Sequence, residues 1–177
     1  GYPARYEDRF ALQLMSNILG GGMSSRLFQT VREKNGLCYT VYSFASSYED
    51  TGIIGIYTAL GKDTEEKAIK EIINELYKLK NDGVSEEELS RSREQIKSNI
   101  LMSLESTTSR MNRMAKSEMT FGEISDIDEI IQRYNAVSRS QIMDIARECF
   151  DFGAMSFSAV GKVSSTEYYR DLLNSLI

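Results

Sequence analysis

Apolar residues recur at Phe10, Ala11, Leu14, Met15 and Ile18, a three-to-four spacing that predicts a helix over about 7–19 with one buried face. Gly20 can take positive φ and stop that helix, and Gly21 and Gly22 carry the chain into a loop. Ser24 or Ser25 then caps a second helix, about 25–34, with Leu27, Phe28 and Val31 on one face and Asn35-Gly36 at its end. From Leu37 the period changes. Leu-Cys-Tyr-Thr-Val-Tyr-Ser-Phe is aromatic and β-branched and predicts a strand, followed by a polar link and a second strand, Thr51 to Leu60. The two pair as an antiparallel hairpin, in which Gly52 and Gly55 mark a bulge or a close approach.

Beyond Gly61 the pattern is helical. Asp63-Thr64-Glu65-Glu66 has the form of a reciprocal cap, ahead of the stripe Ile69, Ile72, Ile73, Leu76, Leu79. Ser85-Glu86-Glu87-Glu88 opens the next helix, with Leu89, Ile96, Ile100 and Leu104 inward. A further helix starts near Thr107. Its Met111, Met114 and Met119, with Met102 before them, stand at helical intervals that predict core packing over an adaptable groove. Short helices follow from Ser125 or Asp126 and from Ser138. The alternation of Met155, Phe157 and Ala159 predicts a third strand, 153–160, and a last helix runs about 165–176. This order fits an α+β domain with helices packed on one face of a mainly antiparallel sheet. Three strands are few for so many amphipathic helices, so a further strand is expected from upstream of Gly1 or from a neighbour.

Composition narrows the class. The 177 residues suffice for one domain, 1–177, and the hydrophobic share of 41% and charged share of 27% are ordinary for a globular protein. A net charge of −5 argues against generic attraction to nucleic acid or anionic lipid, and no apolar run is long enough to span a membrane. Cys38 and Cys149 lie far apart and fit reduced thiols in a cytosol-like compartment, although a single bridge stays open. The start at Gly1 rather than a methionine is what an excised piece would show. The absence of histidine decides most. A histidine general base, a serine–histidine triad and a histidine-ligated zinc site all lie outside this chain's means.

Among the remaining candidates, the glycine run follows a helix and has no lysine until Lys34, so it lacks the context of a phosphate loop or a dinucleotide fingerprint. A helix stop that allows close crossing and a loop that lets a ligand approach backbone both stay open. Glu86-Glu87-Glu88 is a helix N-terminus favoured by its dipole rather than a metal site. Arg32 and Tyr39 fall on a helix end and a strand, and spacing alone assigns neither of them a function.

Gly20-Gly-Gly-Met-Ser-Ser-Arg-Leu-Phe-Gln29 followed by Val31-Arg-Glu-Lys-Asn-Gly-Leu-Cys-Tyr39 closely resembles the C-terminal half of the insulinase-like (M16) zinc peptidases, in the processing-peptidase branch. Ile100-Leu-Met-Ser-Leu-Glu-Ser106 and Ala159-Val-Gly161 extend the resemblance over nearly the whole chain. It implies one half of a clamshell metallohydrolase fold, in which the N-terminal half holds zinc through an inverted His-x-x-Glu-His motif and a distal glutamate. No cofactor is then expected in this chain, and zinc belongs to the other half. Tyr39 and Arg32 match the pair that reaches across the cleft, Tyr39 to the scissile carbonyl and Arg32 to position the substrate. Gly20, Gly21, Gly22 and Met23 match the glycine-rich substrate-recognition segment. The expected partners are an N-terminal half, on the same chain or another subunit, a peptide or presequence substrate, and a possible second copy. No nucleic acid and no membrane are expected, and a bacterial cytoplasm is favoured over the mitochondrial matrix. A non-catalytic peptide-binding or scaffold subunit of the same family is the alternative.

Overall fold

The computed structural model of the chain describes residues 1–177. Helix α1 (Arg9–Gly20) is buried on nearly every side, with Leu12, Leu14, Met15 and Leu19 fully covered. It lies between a hairpin on one flank and helices on the other. The hairpin consists of β1 (Cys38–Ser47) and β2 (Gly52–Leu60), antiparallel, with Tyr42 opposite Tyr57 and Phe44 opposite Gly55. Alternation sorts its faces. Val41 and Ser43 are buried on the inner face, where Ala45, Ile54 and Ile56 also meet the core, while Tyr42, Phe44, Ile53 and Tyr57 stand outside. All the helices gather on the inner side, as an α+β layer arrangement requires.

Helix α2 (Glu65–Asp82) buries Ile69, Ile72, Ile73, Leu76 and Leu79, the stripe its periodicity predicts, and ends on Gly83 at φ 71°. Helix α3 (Glu86–Ser103) starts from a reciprocal cap between Ser85 and Glu88 and buries Leu89 against α1. The remaining helices are α4 (Thr107–Phe121), α5 (Ile127–Ala136), α6 (Arg139–Cys149) and α7 (Thr166–Leu176), capped by Ser106, Asp126, Ser138 and Ser165 in turn. Cys38 and Cys149 are both free thiols. No helix is long and apolar enough to cross a membrane.

Five local expectations change. The third strand, 153–160, does not form: Phe152–Ala154 is a single 3-10 turn and the extended residues after it have no strand beside them to complete a ladder. The methionines do not enter the core. Met102, Met111, Met114 and Met119 are exposed, Met119 by 86%. The edge that α4 turns inward is polar, held by Ser117 on the carbonyl of Glu123, Arg113 on that of Ser125 and Arg5 on that of Thr120. Thr64 bonds back to the carbonyl of Gly61 instead of capping α2. Gly20 ends α1 without positive φ, because it is needed for space: a Cβ there would lie 2.3 Å from the Ser43 nitrogen. The predicted helix at 25–34 widens into a π-helical segment, Phe28–Lys34.

Truncation separates the true core from the exposed methionines. Leu19→Ala is expected to lower unfolding free energy by about 3 kcal/mol, and Met114→Ser by less than about 0.5 kcal/mol, in urea titrations. Comparable losses would place Met114 inside the fold.

Candidate functional site

The glycine loop joins α1 to the π-helical segment, and its carbonyls are tied down one after another. Gln95 Nε2 reaches the oxygen of Gly21 at 3.4 Å, Ser25 Oγ that of Gly22 at 2.6 Å, and Gln29 Nε2 that of Met23 at 2.7 Å. Asn17 Nδ2 joins α1 to α3 by donating to Ser92 Oγ and Gln95 Oε1. A Cβ on Gly21 would lie 2.0 Å from Asn17 Oδ1, and one on Gly22 would lie 2.7 Å from Gln95 Nε2. The glycines therefore admit the protein's own side chains to the loop backbone, and the loop is fixed rather than loose. Gly21 and Met23 remain on the surface.

Arg26 locks the next stretch. Its guanidinium grips both carboxylate oxygens of Glu88, at 2.7 and 2.9 Å, and donates to the carbonyl of Gly83. Burial is the largest single influence on Glu88 and opposes its charge. The hydrogen bonds from Arg26 and from the Ser85 N–H, with the charge of Arg26, outweigh it and pull Glu88 down to about 2. On the opposite side, Thr30 donates to Glu75 of α2, a buried carboxylate that also receives Lys78 at 2.7 Å.

A π-helical turn is rare and wider than an α-turn. Here it carries Arg32, whose guanidinium lies over the Phe28 ring at 4.6 Å and over the Tyr39 ring at 4.9 Å, with the Glu33 carboxylate at 3.7 Å. The structure thus brings Arg32 and Tyr39 together. Tyr39 owes its position to a β-bulge: Cys38 faces Leu60 and Thr40 faces Ala59, so Tyr39 is the residue left over. The extra residue breaks strict alternation and re-aims its side chain. Tyr39 is 81% exposed, and its hydroxyl makes no hydrogen bond within the chain. The bulge stands on β1 at Tyr39 and not at Gly52 or Gly55, which admit close approaches instead, by the Tyr2 backbone and the Phe44 ring.

Sequence reasoning missed the bulge, the π-turn and the Arg26–Glu88 clamp. The Ser85–Glu88 cap was visible in sequence, but not that Glu88 would also hold an arginine 62 positions away. No three His, Cys, Asp or Glu side chains come together to hold a metal ion, so the residues present do not fit a zinc site.

An α+β domain with a hydrogen-bonded glycine loop and an outward arginine–tyrosine pair is the class that this geometry defines. The family model described as "Peptidase M16 inactive domain" matches residues 1–96, more than half of the chain, and the chain belongs to that peptidase family. It is 41% identical over 167 residues to a protein named an uncharacterized zinc protease, YmxG, of Bacillus subtilis, covering 93% of this chain and 41% of that protein. An uncharacterized zinc protease of Streptomyces coelicolor is 37% identical over 164 residues, covering 93% of this chain and 36% of that protein. The chain therefore spans about two-fifths of the length of these relatives. In fold it matches the crystal structure of a protease from Helicobacter pylori with a TM-score of 0.73 at 24% identity, over 83% of this chain and 36% of that one.

The clamp gives a pH signature. A carboxyl depressed in the folded state adds stability above its unfolded pKa and loses it as pH falls through the folded value. Stability is therefore expected to decline from about pH 4.5 towards pH 2 through Glu88. Glu88→Gln is expected to cost about 2 kcal/mol at pH 7 and to flatten that part of the profile in denaturant titrations. An unchanged acid limb would remove Glu88 from the account.

Proposed function

We propose that this chain is the substrate-facing half of a zinc metalloendopeptidase acting on peptides or presequences, with the zinc held by a separate N-terminal half on the same chain or a partner subunit. Family membership supports the pairing of halves, and the relatives named as zinc proteases support the chemistry. The observation that carries the roles of individual residues is the Arg32–Tyr39 arrangement, a hydroxyl without an internal partner held out on a bulge beside a fixed cation.

Tyr39 donates its O–H to the scissile carbonyl oxygen, where negative charge grows as the peptide is attacked. A preorganised donor is worth most at that point, about 3 kcal/mol. Arg32, held between two rings, keeps its N–H edges for carbonyls or a carboxylate of the substrate, and so orients rather than reacts. The exposed edge of the loop at Gly21 and Met23 lets the peptide lie against backbone that does not have to be ordered on binding, and Gly20 and Gly22 set the loop's shape. A bacterial cytoplasmic setting belongs to the same proposal, in keeping with bacterial relatives and two free thiols.

In the complete two-half protein, Tyr39→Phe is expected to lower kcat by about 100-fold to 1000-fold with little change in KM. Full kcat and kcat/KM in that variant would overturn the role given to the hydroxyl. Dialysed against a chelator, this chain by itself is expected to retain no stoichiometric zinc and to leave peptides uncut; tightly held zinc at one ion per chain would contradict the division between the halves.

A further inference from the structure

The outer face of the hairpin has no role in the chemistry above. Its central positions are Thr40, Tyr42, Phe44 and Ser46 on β1, opposite Ala59, Tyr57, Gly55 and Ile53 on β2. None of these eight is charged, in a chain where charged residues make up 27%. Tyr42, Phe44, Ile53 and Tyr57 each leave more than 40% of their surface in solvent. The rings form a continuous strip, with Tyr42 stacked on Tyr57 at 5.1 Å and 28° and lying 6.3 Å from Phe44. Gly55 keeps the strip flat, because a Cβ there would meet the Phe44 ring at 2.4 Å. The Tyr42 and Tyr57 hydroxyls, like that of Tyr39, make no hydrogen bond within the chain, so the face offers apolar area with polar tips still unpaired. Contiguous exposed apolar surface of this kind marks a place where something binds.

We propose that this face is the wall along which the peptide substrate runs, and that it selects an uncharged stretch with a large apolar or aromatic side chain three to five residues from the bond held at Tyr39. The inference rests on the role given to Tyr39 above. Four features favour an extended peptide as the occupant. The face continues the strand that carries Tyr39, so whatever reaches that hydroxyl lies at the end of the strip. Strand rise puts Tyr42 about 10 Å and Phe44 about 16 Å further on, the distances covered by three and five extended residues. Alternate side chains of such a peptide fall at about the spacing of Tyr42 and Phe44. The absence of charge complements a neutral stretch and penalises an acidic or basic side chain, which would lose water without gaining a partner.

The test is binding, which requires no turnover: the Kd of fluorescein-labelled peptides for the complete two-half protein, read by anisotropy. The peptides differ only at positions three to five residues to either side of the cut, carrying Phe, Leu, Asp or Lys there. The wild type is expected to bind the Phe and Leu peptides about tenfold more tightly than the Asp and Lys ones. Tyr57→Ser, at an exposed position, is expected to remove most of that preference. Ala59→Glu is expected to turn the preference towards Lys, a gain that simple damage to the fold would not produce. Equal affinity for all four peptides in the wild type, or a preference untouched by both variants, overturns the proposal. So does loss of association between the halves, or between copies, on Ala59→Glu in size-exclusion chromatography, since the face would then be covered by protein. A normal kcat in Tyr39→Phe together with the Tyr57→Ser effect on Kd would remove the role of Tyr39 and leave the wall standing.

Discussion

Contact between the end of α1 and the middle of β1 sets the position of everything that follows. Gly20 comes so close to Ser43 that no Cβ could stand between them, and the Ser43 hydroxyl donates to the carbonyl of Ser16 at 2.5 Å. Such a contact ties helix to strand at a fixed depth and angle, since protein interiors repack in discrete steps rather than yielding smoothly. The loop leaves α1 at that point and the hairpin returns across it. The distance between glycine loop and Tyr39 is therefore set by core packing and not by the loop's own preferences.

A second level of restraint converts this position into a presented surface. Gln95 of α3, the loop's own Ser25 and Gln29 of the π-helical segment hold three successive carbonyls of the loop, and Arg26 secures the residues beyond it through a bidentate pair with Glu88. Arg32 is steadied by two aromatic faces, each such contact worth about 0.5–1 kcal/mol at an exposed site. Little conformational freedom is left in this surface, and under the function proposed for it a fixed surface gains affinity and catalytic effect over a flexible one. Glycines in such a setting favour rigidity: their missing side chains admit the neighbours that hold them.

The inner and outer sides of the molecule follow different rules. Inside, apolar residues from α1, α2, α3 and α6 close around one core. Outside, apolar residues also remain uncovered, on the hairpin face, on α4 and along the extended residues after Phe152.

Much of this was legible locally. The α2 stripe, the Ser85 and Ser138 caps, the turn at Asn35-Gly36 and the hairpin itself follow from periodicity, capping chemistry and β-propensity, all of which act within a few residues. The absence of histidine alone excluded a histidine-ligated zinc site, and the run from Gly20 to Tyr39 pointed to the family and to Arg32 and Tyr39. What the tertiary structure decided depends on atoms far away in sequence. Glu88 had to arrive before Arg26 could be clamped, and Ser43 and Gln95 before the glycines had a packing reason. β2 had to pair one residue out of step before Tyr39 could turn outward. The methionines of α4 and the alternation after Gly153 misled for the same reason: periodicity shows that a segment could bury a face or join a sheet, but only a partner within reach determines whether it does.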